Sequence, residues 1–158
     1  MRVAEEGTTG SAGPRRGSGR VAAFDLGAKR IGVAYSDSGR TLASPWGTIE
    51  RSGDPGRDLA AMVDAVREVE ASAVVVGLPL SLSGEQGPAA RAALAEAEAL
   101  RQALEPLGVA LETADERLTT VEAQRALRAA GKTGRAARRV VDSAAAMVLL
   151  QAWLDRTS

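Results

Sequence analysis

The sequence predicts an α/β domain built on a five-stranded mixed sheet. The first three strands form an antiparallel meander, strands four and five run parallel to the first, and helices flank the sheet. Three observations carry this expectation. Extended stretches at residues 20–27, 31–36 and 41–49 are joined by connections too short to hold a helix, which makes neighbouring strands antiparallel. From residue 57 onward, helical and strand periodicities alternate, the order expected of crossover units. The run at 73–79 is apolar at nearly every position, as in a strand covered on both faces.

Each element has a local reason. The first strand ends in Phe24-Asp25-Leu26-Gly27, a buried run closed by a charge and a glycine, and Gly27-Ala28-Lys29-Arg30 is the tight connection to the second. A turn at 37–40 leads to the third strand, where Pro45 suits a sheet edge. Residues 57–70 place Leu59, Met62, Val63, Val66 and Val69 at helical spacing. After the strand at 73–79 comes a polar loop at 81–87, then an alanine-rich helix at 88–104. Pro106 and Gly108 break it before a fifth strand at 109–113. Thr119 with Glu122 fits a capping box for a further helix, which Gly131-Lys132-Thr133-Gly134 ends. A last helix at 138–155 is expected to bury Ala145, Ala146, Leu149, Leu150, Trp153 and Leu154. Right-handed crossovers bring the carboxyl ends of strands one, four and five to a shared edge, where open sheets hold their ligands. Asp25 stands at that end of strand one, and Glu116 just past strand five.

Composition narrows the chemistry. A chain of 158 residues with 45% apolar content has room for one domain with a core, and 3% aromatics means a core of Ala, Val and Leu. Residues 1–19, rich in Gly, Ser, Thr and Arg, read as a disordered tail without the apolar stretch of a signal peptide, and 20–156 as the folded domain. No apolar run approaches the roughly 20 residues that span a bilayer, so the expectation is a cytoplasmic protein with no membrane partner. Cysteine and histidine are both absent. That removes disulfides, thiol nucleophiles, thiolate metal sites and the usual near-neutral acid–base group. A catalytic metal site in such a chain has to be made of carboxylates, which suit Mg²⁺ or Mn²⁺. The 20 acidic residues balance 20 basic ones, so net charge does not announce nucleic acid. Lys29 and Lys132 are the only lysines among the basic residues, and arginine offers phosphate a two-pronged contact.

Four ordered motifs resemble one known family. Phe24-Asp25-Leu26-Gly27-Ala28-Lys29-Arg30-Ile31-Gly32-Val33-Ala34 is similar to the opening motif of the YqgF/RuvX family, the Holliday-junction-resolvase-like nucleases associated with pre-16S rRNA. Val76-Gly77-Leu78-Pro79-Leu80 with Ser83-Gly84 resembles its second motif. Asp115-Glu116-Arg117-Leu118-Thr119-Thr120-Val121-Glu122-Ala123 resembles the third, and Val141-Asp142-Ser143-Ala144-Ala145-Ala146 the fourth. The resemblance spans about residues 20–154. It implies an RNase H-like fold and a metal-dependent endonuclease with Asp25, Glu116 and Asp142 as its catalytic, metal-holding acids. Two divalent ions, Mg²⁺ or Mn²⁺, would activate water, stabilise the leaving oxygen and neutralise phosphate charge.

Taken singly, each acid also has an ordinary structural reading. Asp25 is a turn residue, Glu116 a partner for Arg117 or a helix N-terminus, and Asp142 a cap for the last helix. Asp37, Asp54 and Asp115 read as loop or support residues. Candidate nucleic-acid contacts are Lys29, Arg30, Arg117, Arg135, Arg138 and Arg139, together with Ser83 and Gly84 in the polar loop. Arg138 and Arg139 stand where family members often carry Lys or His. The implied partners are structured RNA such as precursor ribosomal RNA, with ribosomal particles, or else branched DNA. Resolving a junction by paired cuts requires a homodimer, whereas RNA trimming allows a monomer. Two other classes compete: an actin- or Hsp70-like nucleotide binder, whose phosphate loop Asp25-Leu26-Gly27 also resembles, and a non-catalytic RNA- or transcription-associated factor.

Overall fold

The structure, a computed structural model, describes residues 17–79, 87–115 and 143–157. Strand β1 spans Arg20–Leu26, β2 Arg30–Ser36, β3 Ala43–Glu50, β4 Ala71–Leu78 and β5 Ala110–Asp115. Helix α1 spans Pro55–Glu68, α2 Pro88–Leu104 and α3 Ala144–Thr157. The five strands form one sheet in the order β3-β2-β1-β4-β5. The first three are an antiparallel meander, with Ala22 opposite Tyr35 and Val33 opposite Gly47. Strand β4 runs parallel to β1 with Phe24 beside Val76, and β5 runs parallel to β4 with Leu78 beside Asp115. The carboxyl ends of β1, β4 and β5 therefore share an edge. The mixed sheet, its antiparallel meander, the parallel β4 and β5 and the flanking helices are those the sequence predicts.

Alternation along the strands divides the core in two. On one face Ala22, Phe24, Val33, Val74 and Val76 meet Met62, Ala65 and Val66 of α1 and Ala97, Leu100 and Leu104 of α2. On the other, Val21, Ala23, Ala34, Val75 and Ala114 meet Ala146, Leu149, Leu150, Trp153 and Leu154 of α3. Pro45 does lie on an edge strand, opposite Ala34 of β2. A register shift beside it, with Gly47 at φ +140°, marks a bulge at that edge.

Several boundaries differ from expectation. Helix α1 starts at Pro55, two residues early, because the Asp54 carboxylate accepts from Gly56 N and Arg57 N and proline suits the first helical position. Strand β4 starts at Ala71, and β5 runs on to Asp115 rather than ending at residue 113. Helix α3 starts at Ala144, and the Ser143 carbonyl accepts the first helical bond from Met147 N at 2.8 Å. Ser143 thus stands just before the first helical residue, and Asp142, expected as a cap, lies outside the described residues. Ala145 is exposed, while Met147 and Val148 are buried instead. The capping box at Thr119, the break at 131–134 and the loop at 81–86 lie outside the described residues. At the other end, Arg40, at φ +61°, donates to the Gly19 and Ser18 carbonyls and so ties the chain entering β1.

Candidate active site

Asp25 is the penultimate residue of β1, and its place in the alternation puts its side chain on the α3 face, with Val21 and Ala23. The carboxylate is half-buried, and burial raises its pKa above the ordinary aspartate value. Among the described residues nothing donates a hydrogen bond to it and no cation pairs with it. A desolvated carboxylate without a partner is costly unless a cation joins it. It is also a hard oxygen donor, in a chain with no histidine or cysteine to offer softer ones. This chemistry fits a divalent cation such as Mg²⁺ or Mn²⁺.

The turn after Asp25 is tight. Gly27 N donates to the Asp25 carbonyl at 3.0 Å, and a Cβ on Gly27 would stand 2.6 Å from the Arg30 carbonyl. Only glycine lets the chain reverse so close to the acid. Lys29 and Arg30 follow on this turn and are exposed at the same edge. Arg30 makes a solvent-exposed pair with Glu50 at 3.6 Å, while among the described residues no acid pairs with Lys29.

Helix α3 is oriented by its polar anchors. The Ser143 hydroxyl donates to the Gly47 carbonyl at 2.9 Å, level with Val33 and hence with Phe24. Eight residues on, Gln151 accepts from Ala43 N and donates to the Thr41 carbonyl, near the opposite edge. Trp153 Nε1 donates to Glu112 of β5 at 2.6 Å. The helix therefore runs away from the Asp25 edge, and its N-terminus, the positive end of its dipole, lies on the Asp25 face.

The expected site residues divide by where the structure reaches. Asp25, Lys29 and Arg30 stand together at the carboxyl edge. Glu116 and Arg117 directly follow Asp115, the last residue of β5, and Asp142 directly precedes Ser143. These three, with Ser83, Gly84, Arg135, Arg138 and Arg139, lie outside the described residues. Among the described residues no three acids stand together.

Sequence reasoning missed a group beside the turn. Arg51, just after β3, meets Glu96 of α2 through two nitrogens at 2.6 and 3.0 Å and Asp58 of α1 at 3.5 Å. Asp58 is 4% exposed and accepts from Ser52 N and Ser52 Oγ, bonds that hold its carboxyl below the usual value. One signal existed. Asp58 falls on the same helical stripe as Met62, Ala65 and Val66, and an acid there calls for a partner.

Comparison with known proteins agrees with this architecture. Residues 19–156 match the RuvX family, described as Holliday junction resolvase. The chain belongs to that family. A Nocardia farcinica relative named "Putative pre-16S rRNA nuclease" is 48% identical over 147 residues, covering 90% of this chain and 81% of its own. A Mycobacterium bovis relative of the same name is 49% identical over 141 residues, covering 88% and 80%. Among solved structures, Thermus thermophilus RuvC in complex with a Holliday junction substrate superposes with a TM-score of 0.62 at 16% identity, covering 87% of this chain and 94% of its own. That likeness shows the fold, RNase H-like as in the RuvC resolvases.

Proposed function

We propose that this RuvX family member is a metal-dependent endonuclease acting in 5′-end processing of precursor 16S ribosomal RNA. The observation that carries the reading is Asp25, a half-buried carboxylate without a partner among the described residues, at the sheet edge that β5 and α3 also approach. In this reading Asp25, Glu116 and Asp142 hold Mg²⁺ or Mn²⁺. The ions supply water activation, leaving-group stabilisation and charge neutralisation. Lys29 and Arg30 bind the phosphate backbone at the β1–β2 turn, and Arg117, Arg135, Arg138 and Arg139 extend that basic rim, with Ser83 and Gly84 against the strand. The helix dipole of α3 favours the same anionic substrate. The choice of RNA is supported by the names of the nearly half-identical relatives. A cytoplasmic location and ribosomal particles as partners belong to the same proposal. Among the described residues no helix is long and apolar enough to cross a membrane.

The family description favours a second reading, a dimeric resolvase of branched DNA. Labelled RNA spanning the 5′ end of 16S rRNA and a four-way DNA junction, each with Mn²⁺, Mg²⁺ or EDTA, separate the two. The expected result is EDTA-sensitive cleavage of the RNA, abolished by Asp25→Asn, Glu116→Gln and Asp142→Asn in proteins that remain folded. Paired symmetric cuts in the junction alone would favour the resolvase. A gel shift with both substrates intact would leave a binding protein.

A further inference from the structure

The geometry points to Arg51 as the positioning residue for Asp25, an inference that rests on the reading of Asp25 as a metal ligand. Arg51 grips the turn after Asp25 at two points. Its Nε donates to the Gly27 carbonyl at 3.0 Å, and its backbone N donates to the Lys29 carbonyl at 3.0 Å. Gly27 N is in turn bonded to the Asp25 carbonyl, so Arg51 is linked to the acid's own backbone through one residue.

The grip is itself held. The two terminal nitrogens of the guanidinium are occupied by Glu96 of α2, and one of them also faces Asp58 of α1, which Ser52 fixes through two bonds of 3.0 and 2.7 Å. One planar fork thus joins the β1–β2 turn to both helices on the far side of the sheet from Asp25. Exposed ion pairs are worth little, but the Arg51 side chain is only 23% exposed and the Glu96 contact is two-pronged. Lysine is a poorer substitute, because its donors all radiate from one nitrogen, whereas Nε, Nη1 and Nη2 of Arg51 reach Gly27, Glu96 and Asp58 from separate atoms. The other side-chain contact the turn makes, Arg30 with Glu50 at 3.6 Å, is solvent-exposed on both sides and holds it weakly. An aspartate at a metal has to be held to within about 0.5 Å, so the turn that ends its strand sets how well it binds.

The test measures Mn²⁺ binding by calorimetry on the full chain, alongside kcat and KM for RNA cleavage. The variants are Arg51→Met, Arg51→Lys, Glu96→Gln and Asp25→Asn. Removing the guanidinium's hold on the Gly27 carbonyl, with the backbone bond to Lys29 left in place, is expected to weaken Mn²⁺ binding and lower kcat by about ten- to a hundredfold, the usual cost of losing a group that orients a metal ligand. KM stays within about twofold, and Arg51→Lys and Glu96→Gln fall between wild type and Arg51→Met. If Arg51→Met lowers only Tm, leaving Mn²⁺ affinity and kcat unchanged, Arg51 merely holds the fold and the inference is overturned. If Arg51→Met does not fold, Glu96→Gln decides the matter on the same readouts. Wild-type Mn²⁺ affinity in Asp25→Asn overturns both the metal site and the role of Arg51. Loss there with none in the Arg51 and Glu96 variants overturns the role of Arg51 alone.

Discussion

At the scale of single residues, the role proposed for Asp25 sets function against stability. Burial raises its pKa in the folded chain above the unfolded value of 3.8. Its protonated form therefore suits the fold better, and the stability that the proton contributes is lost as pH rises through the folded pKa. Asparagine has no charge to desolvate. Asp25→Asn is thus expected to raise Tm by a few degrees at pH 7 in EDTA, with the gain vanishing below the unfolded pKa, while it abolishes cleavage. Thermal melts across pH check this, and a Tm that falls at pH 7 would contradict it. Asp37 behaves in the opposite sense. Its carboxylate accepts from Leu42 N, Thr41 N and Thr41 Oγ1, which lowers its pKa to about 2. The stability from these bonds is present above the unfolded pKa and is lost as pH falls through about 2. Asp37→Asn is expected to lower Tm at pH 5–7, and acid titration should show the difference closing toward pH 2. The sequence already marked Asp37 and Asp54 as support, because turn and cap chemistry acts over two to five residues. Arg51 was not legible in this way. Asp58 on the apolar stripe of α1 signals that a partner is needed, but Gly27 and Glu96 lie 24 and 45 residues from Arg51, and no local spacing names Arg51 as the residue that joins them.

Among the elements, those bounded by strong local signals were read well. Helix α2 begins at Pro88 and ends at Leu104, where the proline and the alanine-rich run place it. Edge strand β3 was legible from Pro45, and the turn at Gly27 from its glycine. For helix α3 the spacing found the buried Ala146, Leu149, Leu150, Trp153 and Leu154 but not Met147 and Val148, because the helix is apolar well beyond one stripe. Its orientation comes from Ser143, Gln151 and Trp153 reaching β3 and β5, contacts that sequence spacing does not contain. This helix alone covers its face of the sheet among the described residues, and Leu150 is fully buried within that layer. Leu150→Ala is therefore expected to cost about 2–5 kcal/mol, read as a lower midpoint in urea with little change in slope. A cost below about 1 kcal/mol would show that α3 contributes little to the fold.

Over the whole molecule, topology gathers the chemistry. Short connections make the meander, and crossovers make β4 and β5 parallel to β1, so three carboxyl ends meet at one edge. That much was legible because connection length and handedness leave few arrangements. The acids assigned to this edge come from distant parts of the chain, strand one, the residue after β5 and the residue before Ser143. Sequence order alone cannot bring them together. With a formal charge of zero, the net balance supplies no overall attraction for nucleic acid, and the proposed function assigns phosphate contact to the local rim around Lys29 and Arg30. The most direct measurement is the anomalous diffraction of Mn²⁺-soaked crystals. The predicted result is one or two Mn²⁺ peaks about 2.0–2.3 Å from carboxylate oxygens of Asp25, Glu116 and Asp142 together. Peaks that leave out Asp25, or the three side chains turned toward separate places with no Mn²⁺ between them, would contradict it.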